Sequence, residues 1–175
     1  LVADPLTRFC LEDLSEREQR DLESDLRLAA RIQRGLLPPA EVAAAGWEVR
    51  HHWEPAGLVS GDYCDVIVGG DGPSAGGVTF VFGDISGKGV AAAMLMSHLH
   101  ATFRTLLGVT DAAAELVARA NRVFRASALS PHFATLVCGR ALPGGEVELC
   151  NAGHLPPRLL GAAGLRTIGT TGLPV

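Results

Sequence analysis

Residues 82–94 read FGDISGKGVAAAM. An apolar run, Val78-Thr79-Phe80-Val81-Phe82, leads into this stretch, and an alanine-rich segment follows it. The run is apolar on both faces and reads as an interior strand. The segment from about Val90 to Leu107 has the pattern of a helix. An acid among glycines at such a junction suits a phosphate loop, a dinucleotide turn, a metal site or a plain turn. A Walker loop needs GxxxxGK followed by Ser or Thr. Here Phe82 stands in place of the first glycine, and Gly89 follows Lys88. Gly87 to Ala92 satisfies GxGxxA, but a dinucleotide fold then requires a second strand ending in an acid about twenty residues on. The chain instead stays helical in pattern through Leu107.

The carboxylates favour another chemistry. Asp84 lies at the mouth of a buried strand, where a charge is costly without a partner. Asp62, in Ser60-Gly61-Asp62-Tyr63-Cys64-Asp65, lies at a second small-residue approach to a strand. Isolated acids at strand ends suit a hard, oxygen-liganded divalent cation such as Mg²⁺ or Mn²⁺. Neighbouring glycines let backbone and water come close. Pattern alone leaves open the plainer role, Asp84 capping the turn and helix that follow.

Outward from this junction, the chain divides by texture. Residues 1–10 show no clear period. From Leu11 to about Leu37 the sequence is charged and helical, with Leu22, Leu26, Ala29, Gln33 and Leu36 forming one seam at 4-3-4-3 spacing. That seam suits either a paired helix or a surface helix on its own domain. Leu37-Pro38-Pro39 ends it. Strands are expected at 47–51, 63–68, 78–82, 133–140, 146–150 and 158–160, with a loop at 69–77 and a hairpin turn at 143–145. A second helix is expected at about 111–128. Strands, two successive helices and then strands again indicate α+β rather than a doubly wound sheet.

With 175 residues, the chain is long enough for one domain with a substantial core. A net charge of −4 offers no global attraction for nucleic acid or an acidic membrane, and neither is expected as a partner. No run approaches the ~18 apolar residues of a membrane span, and no signal peptide is evident. Cys10, Cys64, Cys138 and Cys150 form no CxxC pair and read as reduced thiols in a cytoplasmic protein. Lys88 is the single lysine among fifteen basic residues.

Five blocks in order carry a family resemblance. Ala30-Arg31-Ile32-Gln33-Arg34-Gly35-Leu36-Leu37-Pro38 looks like a linker helix of form A-x-x-I-Q-x-x-L-L-P. Glu54-Pro55-Ala56 with Ser60 to Asp65 is similar to P-A…G-G-D-x-Y-D. Gly83 to Ala92 matches G-D-V-S-G-K-G-x-x-A, and Phe133-Ala134-Thr135-Leu136 and Asn151-Ala152-Gly153-His154-Leu155-Pro156-Pro157 match two later blocks. Together they resemble the bacterial PPM-type serine phosphatases of the SpoIIE/RsbU kind, from about residue 26 onward.

The resemblance implies a four-layer α/β/β/α sandwich over residues 38–175, incomplete at its C-terminus, behind a tail and linker helix at 1–37. It implies two Mn²⁺ or Mg²⁺ ions, with Asp84 bridging them, the carbonyl of Ile85 binding one, and Asp62 binding the same ion. It further implies hydrolysis of phosphoserine or phosphothreonine on a regulatory protein, usually an anti-anti-sigma (STAS) domain. An upstream sensor domain and a homodimer through the N-terminal helix follow from the same likeness. The alternative is a non-catalytic module that binds its phosphoprotein.

There are departures from the family pattern. Ser60 replaces a glycine, Cys64 replaces an aromatic residue, and Ser86 stands where eukaryotic relatives place a histidine proposed as general acid. His154 is expected to be structural, which leaves that role unassigned. Two further metal aspartates, in a D-G-x-x-E-A block and near a D-D strand, have no counterpart after Glu148. The expectation is therefore a piece of a longer protein, inactive as it stands, rather than a decayed domain.

Overall fold

The computed structural model describes residues 5–69, 76–110, 112–127 and 132–175, with side chains from residue 15 onward in the first helix. Most of the loop expected at 69–77, the tail at 1–4 and the Cys10 side chain lie outside the described residues. Helix α1 spans Pro5–Leu36, so it begins within the stretch read as aperiodic. Proline is well tolerated in a first helical turn, where its missing N–H has no partner to lose. Arg20 and Arg27 reach back four residues to Glu16 and Glu23. Such exposed pairs add only a few tenths of a kcal/mol each.

Two short strands follow, β1 (Glu41–Ala44) and β2 (Trp47–Arg50). They form a hairpin turning at Ala45 and Gly46, both with positive φ, as a tight turn between twisted strands demands. The principal sheet is antiparallel and ordered β3-β4-β5-β6. Its strands are β3 (Asp62–Val68), β4 (Val78–Ile85), β5 (Ala134–Ala141) and β6 (Val147–Ala152). A last hairpin pairs β7 (Arg158–Gly161) with β8 (Gly164–Thr167).

Helices α2 (Gly89–Leu106) and α3 (Ala113–Ser127) interrupt the strands between β4 and β5. Ala92, Met96, Leu99 and Phe103 make one buried stripe on α2; Ala113, Leu116, Val117, Ala120 and Phe124 make another on α3. Both stripes follow helical spacing and meet Tyr63, Val81, Ile85, Leu136 and Cys138 from the sheet. Phe103, Phe124, Leu99 and Leu116 are all but inaccessible to solvent. Truncating such a phenylalanine to alanine costs about 3–5 kcal/mol. Glu148 of β6 accepts the N–H of Ala113 at 3.0 Å, satisfying a free amide at the start of α3.

The opposite face of the sheet carries β structure. Val42, Ala44, Trp47 and Val49 of the first hairpin pack near Val66, Val78, Phe80 and Ala141. The Trp47 indole N–H also donates to the Leu142 carbonyl at 2.8 Å. Helix layer, antiparallel sheet and second β layer therefore stack in the order α/β/β among the described residues, an α+β architecture. No described helix is long and apolar enough to cross a membrane.

Two sequence expectations need correction. Strand β4 runs on to Ile85, so Gly83 and Asp84 belong to the strand and the turn comes at Ser86–Lys88. Pairing to both β3 and β5 holds this end extended. Strands β1 and β8 had no counterpart in the sequence reading. Of the α1 seam, for which two uses stood open, Gln33 is buried and Leu36 packs on the core, while Leu22 is exposed.

Candidate functional site

Asp62 opens β3 and Asp84 lies one residue before the end of β4. The antiparallel register makes them direct cross-strand partners. Side chains of paired residues project to the same face, so the two carboxylates stand side by side at one end of the sheet. This is the face opposite α2 and α3, because Tyr63, Val81 and Ile85 point into the helix-side core. Burial and the neighbouring Asp62 push the Asp84 carboxyl above its usual range; His154 and the Ile85 N–H pull it the other way. A bound cation would relieve that like-charge crowding.

Gly61 explains the local shape. A Cβ there would lie 2.9 Å from the Ile85 carbonyl oxygen and 3.1 Å from the Ala92 Cβ. The close approach of the two strand ends therefore requires glycine. The Ile85 N–H in turn donates to the Gly61 carbonyl at 3.3 Å. An open cleft of about 780 Å³ lies over these groups, lined by Leu26, Leu58, Asp62, Asp84, Lys88 and Val90 among others. The linker-like helix thus contributes Leu26 to its wall, and the single lysine stands at its edge.

Two carboxylates line the cleft, and the Ile85 carbonyl lies close to Gly61 at the same end of the strands. All are hard oxygen donors, which fits Mg²⁺ or Mn²⁺ better than a soft metal. Among the described residues no group of three or more His, Cys, Asp or Glu side chains is placed to hold a metal.

Several neighbours have partners that the sequence did not assign. Gln33 of α1 bonds twice to the main chain of Ser60, and the Ser60 hydroxyl donates to Asp62 at 2.6 Å. Ser86 has a structural task. Its Oγ accepts the Phe133 N–H at 2.9 Å and its N–H donates to the Phe133 carbonyl at 2.8 Å, pinning the turn after β4 to the start of β5. Thr135 is the β5 partner of Asp84 and contacts Nδ1 of His154 at 2.8 Å. The turn carrying His154 is held by its N–H bond to Asn151 Oδ1 at 2.9 Å. Asp65, in the same short block as Asp62, faces the other side of the sheet and binds Arg104.

Comparison with known proteins agrees with this layout. The family model described as Stage II sporulation protein E (SpoIIE) matches residues 74–175, more than half of the chain. Protein IcfG of Synechocystis is 35% identical over 86 residues, which is 49% of this chain and 13% of that protein. The structure of the RsbU and RsbW domains of Rv1364c from Mycobacterium tuberculosis superposes with a TM-score of 0.57 at 31% identity. That match covers 67% of this chain and 33% of the other. The chain therefore spans a minor part of both relatives. With the fold and the ordered motifs, the family match establishes that this chain belongs to the SpoIIE family of PPM-type phosphatases.

Proposed function

We propose that the protein is a divalent-metal-dependent phosphatase acting on phosphoserine or phosphothreonine of a regulatory protein in a sporulation- or stress-type signalling pathway. The observation that carries this reading is the register pairing of Asp62 with Asp84 at the mouth of one cleft. Asp84 would bridge two Mn²⁺ or Mg²⁺ ions, with Asp62 and the Ile85 carbonyl holding one of them. When bound, such ions neutralise phosphoryl charge and lower the pKa of a water molecule. Phosphate monoesters hydrolyse very slowly unaided, which makes these the effects most needed.

The chain's own residues then bind and orient. Lys88, exposed beside the cleft, stands where a phosphate dianion would approach and adds attraction without a proton transfer. Leu26, Leu58 and Val90 give the rim apolar surface, which suits the flank of a phosphorylated protein better than a small polar metabolite. Membership of the family and the likeness to an RsbU domain support a phosphorylated anti-anti-sigma (STAS) protein as that substrate. Free Cys64, Cys138 and Cys150 thiols accord with a cytoplasmic setting. A sensor domain joined through residues 1–37, ahead of a catalytic unit from residue 38, belongs to the same proposal.

The test is Mn²⁺-dependent release of phosphate from a phosphoserine STAS protein by the native-length enzyme. Asp84→Asn should abolish turnover while leaving the circular dichroism spectrum unchanged; full activity in that variant would remove the assigned metal bridge. A second reading is a phosphoprotein-binding module without catalysis, for which the same cleft with its apolar rim would serve. Tight binding of the phosphoprotein with no phosphate released, in the unmutated protein, would decide for it.

A further inference from the structure

We infer that Gln33 of α1 is a positioning residue for the Asp62 carboxylate, acting through Ser60. The inference rests on the metal-site reading above and adds a residue outside the strands that carry the acids. Gln33 is only 3% exposed. A buried amide in an otherwise apolar helical seam is unfavourable unless both its ends are bonded. Here both ends go to one residue: Nε2 donates to the Ser60 carbonyl at 2.6 Å, and Oε1 accepts the Ser60 N–H at 3.0 Å. The side chain thus pairs with the main chain of Ser60 much as a neighbouring strand would.

Ser60 passes that constraint on. Its Oγ accepts the Asp62 N–H at 3.1 Å and donates to Asp62 Oδ2 at 2.6 Å. The hydroxyl therefore occupies one acceptor site of Oδ2 and fixes the rotation of the carboxylate. Oδ1 stays outside this link. Because Gly61 separates the two residues and has no side chain of its own to fix the local backbone, the Gln33 clamp supplies a restraint that the local sequence lacks. Groups that orient a ligand from outside the coordination sphere typically change metal affinity by about 10–100-fold when removed.

The experiment is Mn²⁺ titration of the native-length protein by calorimetry and by electron paramagnetic resonance, without substrate. Gln33→Met keeps the length and removes both hydrogen bonds; it should weaken Mn²⁺ binding about tenfold. Ser60→Ala should do the same, and the double variant should be no weaker than either single one, since both cut one link. Leu36→Ala, which loosens the packing of α1 without touching the amide, should lower the melting temperature and leave the Mn²⁺ affinity unchanged. A Gln33→Met protein with affinity within about twofold of wild type overturns the inference, as does strict additivity with Ser60→Ala. Equal loss of affinity in Leu36→Ala also overturns it, by making helix docking in general the cause. Asp62→Asn separates this inference from the reading beneath it. If that variant binds Mn²⁺ as wild type does, the metal site itself is refuted. If it alone loses binding, the site stands and only the Gln33 link fails.

Discussion

Asp65 accepts both arms of the Arg104 guanidinium, with Nε at 2.8 Å and Nη2 at 2.6 Å. Strand alternation places it on the face of β3 opposite Asp62, so one short block sends one acid to the cleft and the other into the fold. Asp65 is fully buried, while the Arg104 side chain is 45% exposed. Removing the cation would leave a buried carboxylate without its main partner. A fully buried pair broken this way costs about 3–5 kcal/mol. Partial exposure of the guanidinium admits water and brings the expected cost of Arg104→Leu to about 2–3 kcal/mol. Urea denaturation measures it, and a cost below about 0.5 kcal/mol would place this pair with ordinary surface ion pairs.

The same cluster makes stability sensitive to pH. His100 of α2 has Nε2 3.6 Å from Asp65 Oδ2. Its ring meets Tyr63 edge-on at a centroid distance of 6.2 Å. Burial lowers the His100 pKa, Arg104 lowers it further, and Asp65 and the Leu36 carbonyl of α1 oppose them. Burial and Asp65 likewise push the Tyr63 phenol far above its usual range, so it stays neutral here. With the folded value of His100 below the unfolded value of about 6.5, the unfolded chain takes up the proton first as pH falls. The contribution is therefore full above about pH 6.5 and is lost as pH drops from there toward the folded value. The urea midpoint should fall between about pH 7.5 and pH 5.5, and by less in His100→Gln. An equal fall in both proteins would assign the effect to other groups.

What could be read in the sequence follows from how local each cause is. The helix stripes at Ala92–Phe103 and Ala113–Phe124 and the apolar run Val78–Phe82 signal themselves by period, and their elements were expected within a few residues. The last three residues of β4 were not, because Gly83 and Asp84 look like turn residues until β3 and β5 are paired on either side. The Glu41–Ala44 strand was hidden by its alanines, and its hairpin turns at Ala45 with φ 55° rather than at the usual asparagine. Strand β8 is exposed throughout and carries no alternation to detect. Of the proposed site, Asp62, Asp84 and Ile85 were expected from motifs, and the adjacency of the two carboxylates came only with the register. Gln33 stood in plain view as the one polar member of an apolar seam, yet its partner lies 27 residues away. Distances of that kind are set by tertiary packing and leave no local mark.

The two ends of that seam lead to opposite expectations for α1. Leu36 packs against the core formed by α2, α3 and the sheet, whereas Leu22 is 61% exposed. Ile32 is equally exposed and Leu28 nearly half so, although Ile32 lies toward α2, beside Val90 and Met94. If α1 pairs two copies of the protein, the contact falls on the exposed N-terminal part of the seam, at Leu22. Leu36→Asp puts a charge into packed apolar surroundings and should cost about 2 kcal/mol or more. The mass of the protein that remains folded should be unchanged by light scattering. Leu22→Asp touches nothing buried in its own chain and should alter stability by no more than about 0.5 kcal/mol. Any homodimer formed through α1 should dissociate in Leu22→Asp at an unchanged melting temperature. The reverse pattern, with mass lost in Leu36→Asp at full stability and no effect from Leu22→Asp, would mean that the seam serves the partner and not the domain.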